Sequence, residues 1–226
     1  LLYIIPGILK TMALHIVDHP LLIDRISRLR DKNTSKILFI SYLDQASSIL
    51  AVFSTKNLAL QPIKVETPLE TTSCYVLRQK IILIPILRAG LGMLKSFQFL
   101  LPEAQVFLLG ATRDEKTFQS TLYHGHVPNI DEHHQLFLLD PMLATGSTLK
   151  KAVEFLKAKG AMSIRVVCCI ASPEGIKQLC QSHEEIEIFT GCVDREVDSQ
   201  GFILPGLGDA GDRLFGHAEN DLKFLP

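Results

Sequence analysis

The sequence predicts an α/β fold: a mostly parallel sheet flanked by helices, with an N-terminal helical segment and a loop-rich C-terminal region. Three observations point there. Short continuous apolar runs recur at 81–86 (IILIPI), 106–111 (VFLLGA), 136–140 (LFLLD), 164–171 (IRVVCCIA) and 186–193 (IEIFTGCV), the pattern of strands covered on both faces. Amphipathic or loop segments alternate with these runs, as crossover connections require. One of those segments carries a full helical stripe, Leu149, Ala152, Val153 and Leu156, at the i, i+3, i+4, i+7 spacing of a half-buried helix.

Taken in order, the opening LLYIIPGIL is apolar. It has no basic segment ahead of it and is far shorter than the roughly 20 residues a spanning helix needs, so no membrane anchor is expected. KTMALHIV offers only a weak secretory cleavage site. Residues 1–11 read as an N-terminal extension and 12–226 as a single domain beginning at Met12. Leu22, Ile26 and Leu29, then Ile37, Leu38, Leu43, Ile49 and Leu50, recur at helical spacing on either side of DKNTS, which predicts two helices. After the strand ending at Asp140, a helix is expected from near Ser147, with lysines in its last turns and Gly160 as the C-cap. Gly206, Gly208 and Gly211 make the tail GFILPGLGDAGDRLFGHAEN a loop over much of its length, able to bring backbone close to a ligand.

Composition narrows the chemistry. The 226 residues are 47% hydrophobic and 21% charged with a formal net charge of −1, which excludes a disordered chain and a generally basic nucleic-acid surface. Any phosphate chemistry is therefore local. The five cysteines, Cys74, Cys168, Cys169, Cys180 and Cys192, contain no C-x-x-C pair. They read as small buried hydrophobes in a reduced, cytoplasmic chain. His124 with His126 and His133 with His134 read as solvated loop histidines rather than zinc ligands.

The densest constellation is LLDPMLATGST, from a strand tip at Asp140 through Pro141, Met142, Leu143, Ala144, Thr145 and Gly146 to Ser147 and Thr148 at a helix start. A loop there places backbone N–H groups and a helix N-terminus at the carboxyl edge of the sheet, an anion site. Thr145, Ser147 and Thr148 can add hydroxyl donors, while Asp140 suits sugar hydroxyls or a hydrated Mg²⁺. On this ground alone, plain helix capping by Ser and Thr explains the residues equally well. Arg88 in PILRAGLGM and Arg113 in GATRDEKT each follow an apolar strand and can reach a diphosphate in a shared crevice. Asp209 and Asp212 lie among the tail glycines without the pattern of a calcium loop.

PILRAGLGM, LLDPMLATGST, IASPEGI and GFILPGLGDAGDR, in this order and spacing, resemble uracil phosphoribosyltransferases of the type I phosphoribosyltransferase class, from about Met12 to Gly216. The resemblance implies Mg²⁺-dependent transfer of the phosphoribosyl group from 5-phosphoribosyl diphosphate (PRPP) to uracil, giving UMP and diphosphate. It implies that the loop Asp140 to Thr148 binds PRPP, with its 5′-phosphate on the later amides and hydroxyls and Asp140 near the ribose hydroxyls. Arg88 and Arg113 would attend the diphosphate. Ile203 and Gly208 to Ala210 would read uracil, with Asp209 also serving the PRPP and metal side through water. No direct protein ligand set for the metal is implied. A homodimer or higher homo-oligomer is expected, and GTP activates some members of the family. The sequence departs from the family at Ser147, where a second glycine is usual, and at AVFSTKN, where Tyr-Glu-Ala is usual. STLYHGHVP also lacks a proline often found before the tyrosine. The competing reading is a catalytically weakened relative that binds PRPP or UMP as a regulator or partner subunit.

Overall fold

The computed structural model describes residues 14–113 and 120–216. Met12 and residues 1–11 lie outside the described residues.

The chain begins with β1 (Leu14–Ile16), α1 (Pro20–Arg30) and α2 (Lys36–Thr55). The two helices separate at the DKNTS turn, where Ser35 accepts from the Leu38 N–H as the N-cap of α2. By length and composition α2 could cross a membrane, yet its apolar character serves a packed face: Phe39, Leu43, Leu50 and Ala51 are buried in the core. An antiparallel hairpin follows, β2 (Leu60–Glu66) with β3 (Thr71–Leu77). Then come β4 (Lys80–Leu87), α3 (Leu91–Leu100), β5 (Gln105–Val106), β6 (Leu109–Arg113) and β7 (Ser120–His124). The second half runs β8 (His134–Leu139), β9 (Met142–Leu143), α4 (Ser147–Ala158), β10 (Ser163–Ala171), α5 (Pro173–Ser182) and β11 (Glu187–Val193). The chain closes with β12 (Glu196–Val197), β13 (Ile203–Leu204) and α6 (Ala210–Phe215).

The main sheet has the order β1-β11-β10-β8-β4-β6-β7, with β5 beside β4 and β9 beside β10. Every pairing in it is parallel except β6 with β7. The five apolar runs are its strands, although 106–111 divides between β5 and β6. Because side chains alternate across a strand, the central runs feed two cores, whereas 106–111 buries Phe107 and Leu109 on one side only. Ile82, Ile84, Leu136, Leu138, Val166 and Cys168 face the layer of α4 and α5. Ile81, Leu83, Phe137, Leu139, Val167 and Cys169 face α1, α2 and α3. The adjacent Cys168 and Cys169 thus occupy opposite faces, and burial raises both thiols well above their usual range.

The stripe Leu149, Ala152, Val153 and Leu156 is the buried face of α4. Gly160 sits one residue beyond the C-cap, donating to the Lys157 carbonyl at 2.9 Å, while Ala161 donates to Leu156 at 3.0 Å, the paired bonds of a Schellman ending. Two expectations need correction. His134 is buried rather than solvated, its Nδ1 2.7 Å from the Asp131 carboxylate, because it opens β8 instead of sitting in a loop. The tail folds more than its glycines indicated, with α6 capped by Asp209 through the Asp212 N–H at 2.9 Å.

Candidate active site

Parallel strands bring the loops that follow them to one edge. β4 and β8 are neighbours in register, Pro85 opposite Leu139, so Arg88 and Asp140 emerge side by side. Asp140 lies at the bottom of a cleft. Its N–H donates to the Val167 carbonyl at 3.2 Å, and its Oδ1 accepts from the Met142 N–H at 3.2 Å. Burial pushes its carboxyl up to about 7 against the Met142 hydrogen bond, and the charge of Asp209 adds to the rise.

The loop from Asp140 to Thr148 divides its work. Pro141 is buried, and its carbonyl accepts from the Cys169 and Ile170 N–H groups at 2.9 and 3.1 Å, tying the loop to β10. Leu143 belongs to the core beneath α4. Asp140, Met142 to Leu149 and Gly201 line a concavity of about 120 Å³. Gly146 is the N-cap of α4 at φ 79° and offers no side-chain cap. The first-turn N–H groups of α4 have no intrahelical acceptors, and that of Ser147 donates to Thr145 Oγ1 at 3.5 Å. The N-cap position itself is thus a glycine and not a Ser or Thr. Ser147 is the first helical residue, its Oγ 3.2 Å from Thr145 Oγ1, so the unusual serine occupies backbone that any residue adopts.

Arg88 is exposed at the end of β4, and its Nη2 donates to Asp212 at 3.2 Å. Ile86 to Ala89, Asp140, Asp209 and Gly211 enclose about 210 Å³, which joins the strand loops to the tail. A further cavity of about 380 Å³ runs along the tail, lined by Gly206 to Asp209, Asp212 and Arg213 with Arg30 and Lys32. Ile203 and Ala210 bury their side chains in the core, leaving only their backbone for recognition. Arg113 ends β6 opposite Ser120, and its side chain lies outside the described part of the molecule.

Sequence reasoning missed what holds the loop from Asp140 to Thr148. Ser172, the N-cap of α5, accepts from the Gly175 N–H at 2.9 Å and donates to the Ala144 carbonyl at 2.6 Å. A Cβ on Gly175 would come within 2.3 Å of that same carbonyl. IASPEGI therefore serves as a buttress. The signal was present, a serine immediately before Pro173 at a helix start, but its second bond joins residues far apart in sequence.

The model of the uracil phosphoribosyltransferase family matches residues 16–217. The chain belongs to that family. A uracil phosphoribosyltransferase from Desulfitobacterium hafniense is 43% identical over 203 residues, covering 89% of this chain and 97% of that one. One from Salinibacter ruber is 40% identical over 205 residues, covering 91% and 98%. Among solved structures, the AQ2163 protein from Aquifex aeolicus superposes with a TM-score of 0.86 at 34% identity, over 90% of this chain and 98% of that chain. Family membership gives the uncapped α4 start, the acid at its edge and the glycine tail one common setting.

Proposed function

We propose that the cleft transfers the 5-phosphoribosyl group of PRPP to N1 of uracil, releasing diphosphate and forming UMP. The observation that carries this reading is the meeting of three parts around Asp140: an uncapped helix N-terminus, the Arg88 loop and the glycine tail. The α4 N–H groups with Thr145, Ser147 and Thr148 would hold the 5′-phosphate, since a helix N-terminus favours an anion. Asp140 would accept from the ribose hydroxyls and face the positive charge that develops on the sugar as the C1–O bond breaks. Arg88 and Arg113 would stabilise the negative charge collecting on the diphosphate. Ile203, Gly208, Asp209 and Ala210 would present backbone donors and acceptors to the edge of uracil.

Asp140 and Asp209 both line this cavity, the charge of Asp209 helping to raise Asp140. That donor set fits a hydrated Mg²⁺ held mainly by substrate oxygens. Among the described residues no group of three His, Cys, Asp or Glu is placed to hold a metal unaided. When bound, the cation would neutralise charge on the diphosphate. Exposed Leu69, Phe99 and Tyr75 support a homodimer or higher homo-oligomer. GTP as an allosteric activator and a cytoplasmic location complete the reading.

The decisive experiment is a steady-state UMP assay with PRPP and Mg²⁺, offering uracil, cytosine, orotate and hypoxanthine in turn, with and without GTP. Turnover with uracil alone is expected. PRPP or UMP binding without turnover would instead establish the regulator.

A further inference from the structure

We infer that the Arg30–Asp194 ion pair positions the uracil-reading loop and thereby sets the affinity for the base. The inference rests on the proposed reading of that loop. A glycine-rich segment that reads a flat ligand with its backbone has few side chains with which to fix itself. Here the fixing comes from outside. Asp194 follows β11 and is held to the sheet by its own N–H, which donates to the Ala171 carbonyl at 2.8 Å. Its side chain is only 5% exposed. Arg30, the last residue of α1, forks onto it: Nη1 donates to Oδ2 at 2.7 Å and Nη2 to Oδ1 at 2.5 Å, the two-pronged geometry that a guanidinium holds and an ammonium does not.

The pair grips the loop at one residue from both sides. The Gly206 N–H donates to Asp194 Oδ2 at 2.9 Å, and the Gly206 carbonyl accepts from Arg30 Nη1 at 2.9 Å. Gly206 has φ 60°, and a Cβ there would sit 2.1 Å from the Ile203 carbonyl oxygen, so only glycine fits at the point the pair holds. The next residue is pinned to the same helix end. Arg213 donates to the Leu207 carbonyl at 2.9 Å, to the Leu29 carbonyl, and to the Asp31 carbonyl at 2.7 Å, with its guanidinium 4.2 Å from the Phe39 ring centroid. The end of α1 is thus the platform from which Gly208 to Ala210 depart. Arg30 and Asp194 are positioning residues, since the loop backbone meets uracil and they meet the loop.

The test compares Asp194→Asn and Arg30→Lys with wild type in KM for uracil, KM for PRPP and hydrogen–deuterium exchange of the 203–208 segment. Both variants should raise KM for uracil about tenfold or more while KM for PRPP stays within about threefold. Exchange should quicken in 203–208 and stay unchanged in β8 and β10. Equal rises in both KM values with uniformly faster exchange would reduce the pair to a general stabiliser and overturn the inference. So would an unchanged KM for uracil. If Asp194→Asn does not fold, Arg30→Lys, which keeps the charge and loses the fork, decides alone. If wild type makes no UMP, the proposed function fails, and the exchange pattern still decides whether the pair holds the loop.

Discussion

Arg88 Nη2 donates to the Asp212 carboxylate at 3.2 Å, joining the loop after β4 to the first turn of α6. The contact brings a strand-edge cation against the tail that would read the base. It also leaves Arg88 more than half exposed, with a side-chain accessibility of 55%, so a diphosphate can recruit it without a large desolvation cost. Removing the guanidinium should act on the leaving group. Arg88→Ala is expected to lower kcat/KM for PRPP by about a hundredfold or more, while uracil affinity measured by calorimetry changes little. A loss confined to uracil would take Arg88 off the diphosphate.

Asp140 should separate chemistry from binding. An acid facing a sugar that gains positive charge matters most in the transition state. Asp140→Asn is therefore expected to lower kcat by about a hundredfold or more and to raise KM for PRPP less than about tenfold. Unchanged kcat would remove Asp140 from the mechanism.

The same residue gives a stability signature with a defined sign. Its carboxyl titrates near the ordinary value in the unfolded chain and at about 7 in the ligand-free fold. A raised carboxyl contributes stability that is complete below the unfolded pKa and is lost as pH rises through the folded one. Asn has no proton to lose. Urea denaturation should show Asp140→Asn gaining on wild type as pH rises from about 4 to about 7, by about 4 kcal/mol at most, and no further above that. A pH-independent difference between the two would contradict the raised carboxyl.

The Ser172 buttress predicts a coupled loss. Ser172→Ala removes the cap of α5 and the donor to Ala144 together, and should destabilise the protein by about 1–2 kcal/mol. Because Ala144 belongs to the loop proposed to hold the 5′-phosphate, KM for PRPP should rise while KM for uracil holds. Thermal denaturation and steady-state kinetics check the two halves; a stability loss without the KM change would make Ser172 a cap only.

Two neighbouring residues of the Asp140–Thr148 loop should respond oppositely. Gly146 holds φ 79°, and a Cβ there would approach the Gly175 carbonyl to 2.9 Å. Gly146→Ala therefore costs about 1 kcal/mol or more in backbone strain alone and should raise KM for PRPP. Ser147→Gly, in the first turn of α4, should change that KM by less than about tenfold, or about 1.4 kcal/mol if KM reports binding. A large gain in activity from Ser147→Gly would reveal a strained loop and favour the regulator reading.

The layered sheet, the two N-terminal helices and α4 with its Gly160 ending were legible in the sequence, because hydrophobic period and caps are local signals. So was the placing of Asp140 beside Arg88, since residues that follow neighbouring parallel strands emerge at one edge; Asp209 follows the antiparallel β13 and was joined to them only through the family resemblance. Other features have weak local signatures: the β2–β3 hairpin has one half-exposed face, and α6 spans only Ala210–Phe215. Whether Ser147 needed a left-handed backbone was decided by where the helix begins, one residue after Gly146. The bonds of Ser172 to Ala144 and of Arg30 to Asp194 and Gly206 belonged to the tertiary structure alone. Each links groups that chain spacing does not relate, and a buried arginine, aspartate or serine shows what it holds only once the fold has removed the water it would otherwise bind.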